Sequence, residues 1–253
     1  MIYAIFMIFT LIVVIIAFYQ WQYFMIFTPT YYREDILDGH FEMVSIVMSD
    51  GVALEGVVFT PEHFASTLLF FAGRSEDSIG LIKKLSLTFT NTRIITFNYR
   101  SYGKNKGSIN EKNMLEDSLK IAQIVQKNYG DFYLLGFSIG SSVASFVASQ
   151  QSVIALFLIG AFDSMVGLVK QKYGVNLSWI LRYKFDTATF LSKVEAPTYI
   201  FVSKSDGITY IQNARALQKH GKSIVLFEEL NNLHHKEILW DARVTNKINE
   251  VLY

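Results

Sequence analysis

The sequence contains no cysteine, which rules out disulfides, thiolate catalysis and cysteine-based metal sites while leaving the redox compartment open. It also lacks a surplus of charge: 23 basic residues face 22 acidic ones, for a formal charge of +1. With no basic stripe along the chain, the electrostatic footprint expected of a nucleic-acid partner is missing. No internal repeat or low-complexity tract interrupts the 253 residues. The first 32 residues carry no Lys, Arg, Asp or Glu at all.

That uncharged start contains Ile2 to Tyr19, in which Thr10 is the only clearly polar side chain. As a helix it would rise about 27 Å, close to the roughly 30 Å of bilayer hydrocarbon. Tyr19, Trp21 and Tyr23 follow at the depth amphipathic rings prefer, and Pro29 ends the helical pattern before Arg33, Glu34 and Asp35. A basic n-region and a small-x-small cleavage site are both absent, so an uncleaved membrane anchor is expected rather than a signal peptide. We therefore divide the chain into an anchor over 1–30 and one globular domain over 31–253. Arg33 is the sole basic residue near the helix end, too little for the positive-inside rule to set an orientation.

Beyond the anchor, Phe41 to Met48 and Val52 to Thr60 flank Ser49-Asp50-Gly51, a hairpin pattern suited to a sheet edge. Short apolar runs then alternate with helical segments. Strands are expected over Thr67 to Phe71, Thr92 to Asn98, Phe132 to Leu135, Ala155 to Ile159, Thr198 to Ser203 and Ser223 to Phe227. Helices are expected over Ser78 to Leu87, Glu111 to Lys127, Ser138 to Ser149, Tyr210 to Lys219 and Lys236 to Leu252, and Ser108 to Glu111 has the spacing of a capping box. The fold class is α/β, a mostly parallel doubly wound sheet.

Gly136-Phe137-Ser138-Ile139-Gly140 lies where one of these buried strands turns into a helix. Two glycines there permit a strained elbow that raises the Ser138 hydroxyl above the sheet, the setting of a serine nucleophile. Such a serine needs a base to take its proton and an acid to orient the base. The histidines after Ser138 are His220, His234 and His235. His220 closes a helix before Gly221 and reads as a capping residue. His234 and His235 sit in the polar loop between the last strand and the last helix, where the base is expected. For the acid, Asp206 in Ser205-Asp206-Gly207 and Asp163 after Ala155 to Ile159 both follow strand ends, and either carboxylate could instead cap a helix or form a turn.

At this point the chain resembles the α/β-hydrolase superfamily, and within it the membrane-anchored, single-domain branch that includes protein depalmitoylases. Phe97 to Gly103 resembles the branch's Asp-Tyr-Arg-Gly-Tyr-Gly loop, Gly136 to Gly140 its elbow, Phe162 to Met165 its post-strand segment, and Ser205-Asp206 and His235 to Ile238 its acid and histidine blocks. The resemblance implies a catalytic triad of Ser138, Asp206 and His235, with His234 where the family usually has glycine. It implies an oxyanion hole formed by the backbone N–H groups of Arg74 and Ile139. Two segments depart from the pattern: Ala72-Gly73-Arg74 replaces His-Gly-Asn, and Asn98 replaces the loop's Asp. Arg74 reads as a solvated side chain or as a contact for an acidic substrate.

The implied chemistry is acyl transfer to serine and then to water, with no cofactor or metal. Asp163 to Lys193, with Trp179, Ile180, Leu181, Tyr183 and Phe185, is expected to form part of an apolar lid, which favours a small-molecule or lipid-like acyl ester or thioester over a peptide. The alternative is a catalytically idle, membrane-tethered scaffold that binds a lipid or partner.

Overall fold

The computed structural model describes residues 2–30 and 39–253; Arg33, Glu34 and Asp35 lie outside the described residues. Helix α1 runs Ile2–Ile26, followed by strands β1 (Phe41–Val47), β2 (Ala53–Phe59) and β3 (Ser66–Phe71). Helix α2 (Ile82–Thr88), β4 (Thr92–Phe97), α3 (Glu111–Tyr129), β5 (Tyr133–Phe137), α4 (Ile139–Gln150) and β6 (Leu156–Ile159) complete the first half. Then come α5 (Met165–Tyr173), α6 (Thr187–Leu191), β7 (Thr198–Ser203), α7 (Ile211–Gln218), β8 (Ile224–Leu230), α8 (His235–Ile238) and α9 (Ala242–Leu252). The strands form one sheet in the order β1-β2-β4-β3-β5-β6-β7-β8. Strand β2 is antiparallel to both neighbours and the remaining pairs are parallel, so the expected hairpin does form the sheet edge.

Every residue of β3 is buried, because its alternate side chains enter two different cores. Leu69 and Phe71 pack with Val125 of α3, Val143 of α4 and Leu217 of α7. Leu68 and Phe70 pack with Leu85 of α2 and Ile248 of α9. A strand covered on both faces needs apolar residues at every position, which is why the central strands read as continuous runs rather than alternations.

Three local expectations are corrected. The single closing helix is two, α8 and α9, because Asp241 accepts the Arg243 amide as a new N-cap and restarts the chain. The Ser108–Glu111 capping box is absent: Asn110 caps α3 by accepting from the Asn113 amide at 2.9 Å. Glu111 instead accepts the Lys184 and Phe185 amides at 2.7 Å each, fixing a distant turn. Burial pushes the Glu111 carboxyl above the usual carboxylate range, and those two amides oppose the shift. Finally, the apolar side chains expected to line a lid in Asp163 to Lys193 are divided between core and surface. Tyr183, Phe185 and Leu191 belong to the core, while Trp179 is 74 % exposed.

Helix α1 is long and apolar enough to cross a membrane, and its most apolar window is wholly unburied. Its end is docked on the sheet domain. Gln22 is 3 % exposed and Phe27 1 % exposed, with the Phe27 ring 5.0 Å from Tyr183 and 6.3 Å from Phe185. The Gly103 amide donates to the Thr30 carbonyl at 2.8 Å. The expected boundary at residue 30 therefore cuts through a packed segment. Removing residues 1–17 should leave the melting temperature of the detergent-solubilised protein unchanged. Removing 1–30 should lower it by on the order of 10 °C, since losing a buried Phe costs about 3–5 kcal/mol; equal melting temperatures for the two truncations would show that Phe27 contributes nothing to the core.

Candidate active site

The chain leaves β5 at Phe137, turns at Ser138 and enters α4 at Ile139. Ser138 has φ 56° and ψ −122°, a backbone state that costs a non-glycine residue about 1–3 kcal/mol and persists only where the surroundings enforce it. Here the Ser138 amide donates to the Ile159 carbonyl of β6 at 2.9 Å, and the Ser138 carbonyl accepts from both the amide and hydroxyl of Ser141. Tight approach explains the glycines on either side. A side chain on Gly136 would collide with the Gly140 carbonyl, and one on Gly140 with the Phe71 and Ala72 carbonyls at the end of β3.

His235 Nε2 lies 2.8 Å from Ser138 Oγ, and His235 Nδ1 lies 2.7 Å from Asp206 Oδ2. All three residues are buried. A carboxylate only accepts, so Nδ1 carries the imidazole proton and Nε2 presents its lone pair to the serine hydroxyl. The ring lies against Phe137, with centroids 5.0 Å apart, and against Gly160, where an added Cβ would sit 2.9 Å from His235 Cε1. Asp206 is held in turn. Its Oδ1 accepts the Ile208 and Thr209 amides at 2.8 and 3.1 Å, and its Oδ2 accepts the Thr209 hydroxyl at 2.6 Å. Burial works against the Asp206 charge, but the hydrogen bond and charge of His235, with the Thr209 and Ile208 donors, hold its carboxyl below the usual range. Because the folded value is depressed, the stability this contributes is present above the ordinary aspartate range and lost as pH falls through the lowered one.

Thr209, Phe137 and Gly160 were not singled out from the sequence. For Thr209 a signal existed, since Ser-Asp-Gly-Ile-Thr is the local pattern of an Asx turn whose third residue on can donate to the carboxylate.

Ile139 is the first residue of α4, where an amide has no intrahelical acceptor. The turn carrying Arg74 follows β3 and passes close to the elbow: a Cβ on Gly73 would lie 3.4 Å from Ser138 Cβ. The loop after β4 braces that turn. The Tyr99 hydroxyl donates to the Ala72 carbonyl at 3.0 Å, and the Tyr102 hydroxyl donates to the Arg74 carbonyl. Asn98 accepts the Ser78 amide and donates to Asp77 Oδ1, each at 2.7 Å. An ionised Asp at position 98 would have no proton for the Asp77 carboxylate, so the Asn98 departure is matched by Asp77. Arg100, 6 % exposed, anchors the same loop by bonding Asp117 at 2.6 and 2.9 Å and Asp50 from the hairpin. The hydrogen bonds it donates to these two carboxylates raise the guanidinium further above its already high range. The Arg74 side chain is exposed and donates to the Met25 carbonyl at the end of α1.

The other candidates stand apart from this chain of hydrogen bonds. Asp163 accepts from Asn213 Nδ2 at 2.8 Å and packs on Gly167, while Ser164 caps α5. His220 is exposed beyond the end of α7, its amide bonded to the Leu217 carbonyl. His234 is exposed and its amide donates to Glu237 Oε2 at 2.6 Å, so it opens α8 rather than facing the elbow.

A cavity of about 570 Å³ is lined by Arg74, which follows Gly73 beside Ser138, and by Gly207 to Thr209, which follow and bond Asp206. Most of its remaining surface is apolar, from Phe162, α5 and the end of α1.

No family model matches the chain, and no curated protein matches it in sequence. Solved structures do match in shape. An esterase of Pyrococcus furiosus superposes with a TM-score of 0.67 at 15% identity, over 90% of this chain and 96% of its own. The esterase domain of a Rhodothermus marinus protein gives 0.63 at 18%, over 84% and 95%. A serine hydrolase without a lid from Xanthomonas campestris gives 0.60 at 17%, over 87% and 94%. The chain has the α/β-hydrolase fold.

Proposed function

We propose that the protein is a membrane-anchored serine hydrolase that cleaves carboxylic ester or thioester bonds through an acyl-serine intermediate. The observation that carries this reading is the buried relay of 2.8 and 2.7 Å bonds from Ser138 through His235 to Asp206, set on a strained elbow. His235 Nε2 removes the Ser138 proton as Oγ attacks the substrate carbonyl. The resulting oxyanion develops against the amides of Arg74 and Ile139. His235 then protonates the leaving alcohol or thiol. A water, deprotonated by the same nitrogen, attacks the acyl-serine, releases the carboxylic acid and returns the proton to Ser138. Asp206 holds the imidazole tautomer throughout and offsets the charge of the imidazolium. Esterase and serine hydrolase are also the descriptions carried by solved proteins of this fold.

The apolar cavity suits an acyl chain, in keeping with the resemblance to the anchored, depalmitoylase-containing branch. Helix α1, exposed over its most apolar window, supplies the anchor, and its docked end from about Gln22 belongs with the catalytic domain. An idle scaffold is not favoured, because strain at Ser138 and a buried carboxylate are costs that binding alone would not require. A fluorophosphonate probe should label the full chain at Ser138, and the labelled band should stay in the membrane pellet after alkaline carbonate. Absence of labelling in folded protein would refute the nucleophile, and release by carbonate would refute the anchor.

A further inference from the structure

We infer that the last two turns of α1 form a wall of the acyl pocket, so that a long acyl chain of a bilayer-resident ester reaches Ser138 along the anchor, which thereby sets the chain-length preference. The inference rests on the serine hydrolase reading and goes beyond it by naming the substrate's physical state and the element that selects it.

Phe18, Trp21, Met25 and Ile26 of α1 line one side of the 570 Å³ cavity, and Met165 and Leu168 of α5 line another. That volume lies within the roughly 300–1,000 Å³ typical of ligand sites. The positions 18, 21, 22 and 25 recur at helical spacing and so form one face. Helix α5 buries none of its residues, yet its apolar side chains meet those of α1 across a space that no protein group fills.

The helix end is located by polar bonds rather than by an apolar stripe, for α1 is apolar all round. Gln22 donates from Nε2 to the Ile180 carbonyl at 3.0 Å and accepts the Arg182 amide at 2.8 Å. A buried amide in an apolar helix is costly unless bonded, so both bonds specify this docked position. The guanidinium of Arg182 also lies 5.1 Å from the centre of the Tyr19 ring. Arg74 closes the arrangement, its guanidinium on the Met25 carbonyl and its own turn against Ser138. From Ile2 to Ile16 the same helix is exposed, as a lipid-facing segment must be. A chain moving from lipid into this pocket therefore passes from one apolar surface to another without entering water, where each methylene exposed would weaken binding about fourfold.

The test uses the full chain in vesicles of diether phosphatidylcholine, which offer no ester of their own, with nitrophenyl esters from acetyl to hexadecanoyl. Met25→Trp, which fills the cavity from the α1 side, should lower the hexadecanoyl-to-acetyl ratio of kcat/KM at least tenfold. Gln22→Leu, which removes both docking bonds at nearly constant volume, should lower it too, and Ile8→Ala, far along the helix, should not. A second arm needs no turnover: a diazirine-bearing hexadecanoyl ester added to Ser138→Ala should cross-link to the Met165–Val169 segment, and Met25→Trp should suppress this. An unchanged ratio in both variants, or no cross-link to that segment, overturns the inference. Cross-linking by a protein that hydrolyses no ester and takes no fluorophosphonate would instead overturn the hydrolase reading and leave the pocket wall standing.

Discussion

Ser138→Ala and His235→Ala should each abolish ester hydrolysis, a loss on the order of 10⁴–10⁶ in kcat, and the double variant should be little worse than either. The non-additivity follows from the geometry. His235 Nε2 has one task, taking the proton from an Oγ at 2.8 Å; without the hydroxyl there is no proton to take, and without the imidazole the hydroxyl stays un-ionised near neutral pH. His234→Ala should retain most activity, because His234 is exposed and opens α8, with an amide bond to Glu237 that alanine also makes, rather than facing Ser138. Steady-state hydrolysis of a nitrophenyl ester by the four purified variants, with wild-type melting behaviour as the folding control, checks this. Full turnover by Ser138→Ala would end the hydrolase reading, and loss in His234→Ala with normal activity in His235→Ala would contradict the observed burial of the two rings.

What was legible in the sequence was what is encoded locally. The runs Thr67 to Phe71 and Thr198 to Ser203 lie within strands because β-branched and aromatic residues buried on both sides leave no other period. Ser138 was legible because the glycines around it answer a short-range collision with the backbone of β3 and α4. Asp206 and His235 were narrowed by chain order and by resemblance, not by periodicity, and Asp163 stayed open because both acids follow strands. Long-range placement was not legible. Nothing near Phe27 or Gln22 says that a helix able to cross a membrane should end inside the core, since their partners are Tyr183, Phe185, Ile180 and Arg182. Glu111 misled for the same reason: its spacing suits a capping box, but amides 73 and 74 residues away claim its carboxylate. Asn98 departs from the family's loop, and the reason, its bond to Asp77, lies 21 residues away.

Asp206→Asn should lower kcat by on the order of 10⁴ while Asp163→Asn should cost less than about tenfold, and the difference lies in what each carboxylate touches. Asp206 Oδ1 can be replaced by an amide oxygen, which still accepts from Ile208 and Thr209. Its Oδ2 cannot, because an amide nitrogen there would donate toward His235 Nδ1, now 2.7 Å away, and toward the Thr209 hydroxyl. The imidazole would relieve that clash by moving its proton to Nε2, where it points at Ser138 and leaves no lone pair to accept the hydroxyl proton. The nucleophile would be in place and its base in the wrong tautomer, so KM should change little while kcat falls. Asp163 meets Asn213 Nδ2 and the Gly167 backbone, and an Asn there loses part of one surface-proximal hydrogen bond, worth about 0.5–1.5 kcal/mol of stability. Kinetics of both variants on one ester, with ¹H NMR of the imidazole N–H for the tautomer, decide the matter. A larger loss in Asp163→Asn than in Asp206→Asn would move the orienting acid to Asp163 and would require His235 to turn away from the carboxylate it now faces.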